Sequence, residues 1–134
     1  MSDSAESVAQ AFVRAINRQD VEALAELMTA GHRFIDGMGN LVEGREKMRA
    51  GWAGYFRMVP DYSIAVEETY CDGAVVAMLG VAEGTYAPDG ILKLENRWKT
   101  PAAWRALIED DKVAEWRVYA DNEPMRRLMR KAGL

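Results

Sequence analysis

The chain has 134 residues, 49% of them hydrophobic and 28% charged, with a formal net charge of −4. That length suits one domain with a sizeable core, and the acidic balance argues against a nucleic-acid partner or an anionic membrane surface. Cys71 is the only cysteine, which excludes an intramolecular disulfide, and no apolar run approaches the roughly 18 residues of a membrane span.

At the N-terminus, MSDSAESVAQ lacks the apolar segment of a signal peptide, so a cytoplasmic, reducing location is expected. Ser2 and Ser4, followed by Glu6, offer helix-capping chemistry, and Val8, Ala11, Phe12, Ala15 and Ile16 recur at helical spacing. NRQD at 17–20 breaks the pattern. Asp20 can cap a short second helix, VEALAELM, whose Val21, Leu24, Leu27 and Met28 form one stripe, and Gly31 ends it. HRFID reads as a short strand with His32 half-exposed before it, GMGN as a turn, and Glu43 to Arg57 as a third helix closed by Pro60.

From Tyr62 the period changes to two. Tyr62 to Tyr70, Ala74 to Tyr86, Ile91 to Ile108 and Lys112 to Ala120 read as four strands joined by CDG, APDG and EDD turns. Cys71, at the first junction, reads as a half-buried structural thiol. In the third long strand Leu92, Leu94, Trp98, Ala102 and Trp104 share one parity, and Pro101 predicts a bulge or bend. Asn122 or Glu123 to Lys131 closes the chain as a helix with Pro124 in its first turn. Its Arg126, Arg127, Arg130 and Lys131 read as a solvated face. Three helices around a short strand, then a meander of long strands, make one α+β domain over 1–134.

Strand parity suggests a site. In HRFID, Phe34 and Asp36 share a face; in WRVYAD, Arg117, Tyr119 and Asp121 do. If both faces line one cavity, two carboxylates and a phenol converge there, walled by Trp52, Tyr55 and Phe56 of the third helix and by Trp98 or Trp104. An apolar cavity disfavours a charged acid, and two neighbouring acids separate each other's pKa values, so one can act as base and the other as donor. Simpler readings stand beside this one. Asp36 before Gly37 also fits a strand-end turn, Asp121 a helix cap, Arg117 a salt bridge, and the tryptophans ordinary core. The sequence has no HExxH, glycine-rich phosphate loop or GxSxG, and one His with scattered carboxylates makes no metal set; neither metal nor cofactor is expected.

DVEALAELM, then HRFIDGMGNLVEGREKMRAGW, then the meander ending KVAEWRVYADNEP, together resemble the nuclear transport factor 2-like superfamily over nearly the whole chain. Within it the chain is most similar to the SnoaL-like (polyketide cyclase-like) group. The resemblance implies a cystatin-like cone: three N-terminal helices packed on a curved, mainly antiparallel sheet, with a short C-terminal helix, a pocket at the wide end and homodimers through the sheet. It names no reaction. Asp36 falls at the position of the proton-moving Asp of delta-5-3-ketosteroid isomerases. Their oxyanion Tyr position holds Phe12, and their late-strand acid falls near Ala102 or Ala103, which cannot donate to an enolate. Trp116, Arg117, Tyr119 and Asp121 match the Trp-Arg-x-Tyr-x-Asp motif of limonene-1,2-epoxide hydrolases. The hydrolases' Tyr-x-Asn is replaced by Phe34 and Asp36, and their Arg-x-Asp pair has no clear counterpart. Asp121 is also the candidate for the late acid/base of the SnoaL cyclase, without its accompanying His.

The expectation is a binder of a small hydrophobic molecule. It would carry cofactor-free isomerase, cyclase, dehydratase or hydrolase chemistry at Asp36, Asp121 and Tyr119. Ligand contacts would come from Arg117, Phe34, Phe12, Trp52, Tyr55, Phe56, Trp98 and Trp104. The alternative is a non-catalytic ligand-binding or dimerisation module of the same fold.

Overall fold

The change of period near residue 60 becomes a division of labour between helices and sheet in a computed structural model that describes residues 4–133. Helix α1 (Ala5–Arg18) begins at Ser4, whose Oγ accepts from the Ser7 N–H at 3.1 Å. Ser2, the other expected cap, lies outside the described residues. The helix stops at Gln19, in the left-handed region at φ 56°. The NRQD break also fastens the helix to the sheet. Asn17 Nδ2 donates to the Ile64 carbonyl at 3.0 Å, while Asn17 Oδ1 accepts from the Ile64 N–H at 2.8 Å.

Helix α2 (Val21–Glu26) is capped by Asp20 through the Ala23 N–H at 3.0 Å, and it is shorter than its apolar stripe suggested. The Leu27 carbonyl accepts from the Val113 N–H at 2.6 Å, so the chain turns extended there and Met28 opens strand β1 (Met28–Ile35). Gly31 therefore lies within a strand and ends no helix. His32 sits mid-strand on the inner face, fully buried rather than half-exposed, with Nδ1–H donating to the Val113 carbonyl at 2.7 Å. Strand β2 (Leu41–Glu43) was not anticipated, because three exposed residues carry no period. It precedes α3 (Arg45–Met58).

The meander follows as β3 (Ser63–Asp72), β4 (Val75–Thr85), β5 (Arg97–Glu109) and β6 (Lys112–Ala120), closed by α4 (Glu123–Lys131). Two expectations for the third long strand fail. Its first residues, 91–96, form a loop and a 3-10 turn with Leu94 exposed, because no neighbouring strand reaches them. Pro101 causes no bulge: the ladder with β4 passes through Val81 and Pro101 unbroken, and burial alternates evenly from Arg97 to Glu109. Pairing with β6 starts only at Ala102, so Pro101 sits where a residue without an N–H interrupts nothing on that edge. Cys71 is exposed near the tip of the β3–β4 hairpin, not half-buried.

The six strands run in the order β2-β1-β6-β5-β4-β3, with only β1 and β6 parallel. Helices α1 to α3 cover the inner face, where Phe12, Ile16, Leu24, Met28, Met78, Trp104 and Trp116 are almost completely buried. The outer face carries one row across all six strands: Tyr70, Ala77, Arg105, Arg117, Ile35 and Leu41.

Candidate ligand cavity

The inner face is not filled to its edge. A cavity of about 400 Å³ remains between α3, α4 and the ends of β1, β2 and β6. One face of α3 supplies Met48, Trp52, Tyr55 and Met58, at helical spacing. Phe34 of β1 and its β2 partner Val42 form a second wall, Val118 of β6 and Tyr62 a third, and Met125 and Met129 of α4 a fourth. Five of the eight methionines line this space. Among the described residues, the only charged side chains on it are Asp36 and Arg126, joined by Asn122.

The aromatic walls hold one another edge to face. Trp52 meets Phe34 with ring centroids 5.9 Å apart and Tyr55 at 6.5 Å, and Tyr55 meets Tyr62 at 5.0 Å. The Tyr55 hydroxyl donates to the Met125 sulfur at 3.8 Å, a weak partner. Burial pushes both phenols above their ordinary range, and for Tyr55 the neighbouring Tyr62 adds to the effect. Both remain neutral O–H groups facing an apolar space.

Asp36 answers to both of its possible roles. Its Oδ1 accepts from the N–H groups of Met38 and Asn40, each at 2.9 Å, and its Oδ2 from Asn40 Nδ2 at 3.1 Å. The loop after it needs Gly39 at φ 85° and Gly37 beside β6, where a Cβ would stand 2.7 Å from the Ala120 carbonyl oxygen. Asp36 is thus a turn residue that also reaches the cavity lining. Partial burial pushes its pKa up, but the hydrogen bonds from Asn40 and Met38, with Gly39, outweigh that and hold it below the usual carboxylate range. It is an anion with most of its lone pairs engaged.

The expected convergence with Asp121 is absent. On β6, Trp116 is buried and Val118 lines the cavity, so Arg117 and Tyr119 belong to the outer face, where Arg117 lies over the Tyr119 ring at 5.0 Å. Asp121, beyond the strand end, is exposed and accepts from the Glu123 N–H at 2.9 Å at the start of α4. Arg117 and Tyr119 do share a face, as strand parity predicts, but it is the side of the sheet away from the cavity, and Asp121 lies past the strand. Phe12, Phe56 and Trp104 are closed core rather than lining; Phe12 packs on Trp116 at 4.7 Å and on His32 at 6.0 Å. Trp98 packs on Tyr62 and borders a separate groove with Lys99 and Arg127. From the expected ligand contacts, Phe34, Trp52 and Tyr55 reach the cavity.

Sequence reasoning missed the methionines and the whole contribution of α4. The signal was present in the Met48, Trp52, Tyr55, Met58 spacing and in Met125 and Met129 four apart, on a helix read only for its charge. No group of three or more metal-ligating side chains occurs among the described residues.

Residues 9–116 match the family model described as the SnoaL-like domain. The solved structure of a candidate SnoaL-like polyketide cyclase from Shewanella denitrificans superposes with a TM-score of 0.80 at 14% identity, over 95% of this chain and 97% of that one. IdmH, a candidate polyketide cyclase from Streptomyces antibioticus, gives 0.77 at 20% identity, over 95% and 99%. An uncharacterised cystatin-fold protein from Novosphingobium aromaticivorans gives 0.70 at 26% identity, over 87% and 98%. No curated protein matches the sequence.

Proposed function

Because the chain belongs to the SnoaL-like domain family, we propose that it binds a small, largely hydrophobic molecule in the cavity between α3, α4 and the sheet. The observation that carries this reading is the lining itself. A space of about 400 Å³ falls within the size range of small-molecule sites, and its walls are aromatic and thioether side chains with a few polar groups. Methionines adapt their shape to a guest at little cost, and Tyr55 can exchange its weak sulfur partner for a ligand acceptor. The Asp36–Asp121 acid/base pair forms no part of this proposal, since the two carboxylates do not share the cavity.

Titration with the neutral fluorophore N-phenyl-1-naphthylamine tests it. One probe should bind per chain with a saturable rise in fluorescence. Val118→Phe, which fills the cavity from β6, should weaken binding by about tenfold or more, a loss of roughly 1.4 kcal/mol. Unsaturable binding, or binding indifferent to Val118→Phe, contradicts the proposal.

The pairing of two copies through the outer sheet face is the partner arrangement that the resemblance implied. Exposed Tyr70, Leu79 and Tyr119 on that face support it. A single-chain mass in sedimentation equilibrium at high protein concentration would remove it.

A further inference from the structure

Three arginines stand on α4, and they are not equivalent. The Glu123 carboxylate takes Arg130 at 2.5 Å and Arg127 at 3.6 Å. Arg126 influences Glu123 only through space and forms no ion pair among the described residues. Its side chain donates to the Met38 sulfur, 3.7 Å from Nη1, and this places the guanidinium on the rim of the cavity. A thioether is a poor acceptor for a cation with five N–H donors.

The opposite charge on the same lining does not compensate it. Asp36 stays ionised but turns its oxygens to the N–H groups of its own loop, which donate three hydrogen bonds, and among the described residues it forms no ion pair with Arg126. Asn122, next to Arg126 on the lining, adds neutral donor and acceptor capacity. The interior thus presents apolar wall and the neutral Tyr55 and Tyr62 phenols, and the rim presents one exposed cation with no carboxylate partner among the described residues.

We infer that the preferred ligand is amphipathic: an apolar, ring-sized body held among the methionines and aromatics, with an anionic group such as a carboxylate or sulfonate at the rim against Arg126. The inference rests on the cavity being a ligand site, and it adds the charge of the ligand. A charge-assisted bond to a planar guanidinium at a half-open rim is expected to favour the anion by about tenfold. Salt should reduce that preference, since the pair is partly solvated.

Two probes with the same anilinonaphthalene body separate the two claims: neutral N-phenyl-1-naphthylamine and 8-anilinonaphthalene-1-sulfonate. Wild type should bind the sulfonate about tenfold more tightly at low salt. Arg126→Gln should abolish the preference, cutting the ratio of sulfonate to neutral-probe affinity from about ten to about one. Arg130→Gln, on the same helix but paired with Glu123, should leave both probes unchanged. Equal affinity of wild type for the two probes, or equal effects of the two substitutions, overturns the anion assignment while saturable binding of the neutral probe still upholds the cavity. If neither probe binds, the cavity reading falls and this inference falls with it.

Discussion

His32 shows how an element boundary decides a residue's chemistry. Read as the first residue of a strand, it looks half-wet; with β1 starting at Met28, it is enclosed, donates through Nδ1 and presents an unprotonated Nε2 with no partner among the described residues. Burial, more than the nearby Arg33, holds its pKa below the ordinary 6.5, against the opposing pull of the Val113 carbonyl. The sign follows. A group whose folded pKa is depressed leaves stability intact above its unfolded value and removes it as pH falls below that value toward the folded one. The Tm of wild type should therefore drop between about pH 7 and about pH 5 by more than that of His32→Gln, whatever the two values are at neutrality. Parallel profiles would contradict it. Asp36, by contrast, was legible as a two-way choice between turn and pocket, and it turns out to do both. What no local pattern contained was the position of Ala120 against Gly37, which fixes that loop.

Among the elements, α1, α3, β6 and α4 were legible to within a residue or two, because their apolar periods are clear, and α1 adds a side-chain cap at Ser4. The α2–β1 boundary was not. Leu27 and Met28 continue the helical stripe, but Leu27 is the last residue in helical conformation, and the non-local ladder with β6 makes Met28 extended. The same holds on β6, where alternation was clear but the side facing the helices was not. The buried Trp116 identifies it, and the register shift between Leu107 and Ile108 upsets simple counting along the strand. In the sequence Asn17 reads only as a helix breaker. Its paired hydrogen bonds to Ile64 join α1 to β3 across 47 positions of sequence. Asn17→Ala should lower stability by about 1–3 kcal/mol, since it leaves both backbone groups of Ile64 without partners. Urea unfolding would register this as a lower midpoint at unchanged slope; a shift of less than about 0.3 kcal/mol would show that water replaces the side chain.

At the scale of the molecule, a bent sheet over three helices leaves a wide end that the core side chains do not reach, and α4 folds back along it with Met125 and Met129 turned inward. The cavity therefore belongs to the architecture, and its content to a handful of side chains. The resemblance carried the cone and its pocket, whereas the methionines and Arg126 emerged only once α4 was in place. Signals from [13C]methyl methionine during titration with N-phenyl-1-naphthylamine are the sharpest test of the cavity as a ligand site, because methionines mark both the cavity and the core. Met38, Met48, Met58, Met125 and Met129 should shift in proportion to occupancy, while Met28 and Met78, buried away from the cavity, stay in place. Shifts spread evenly over core and cavity methyls, or no shifts at saturating probe, would contradict the account.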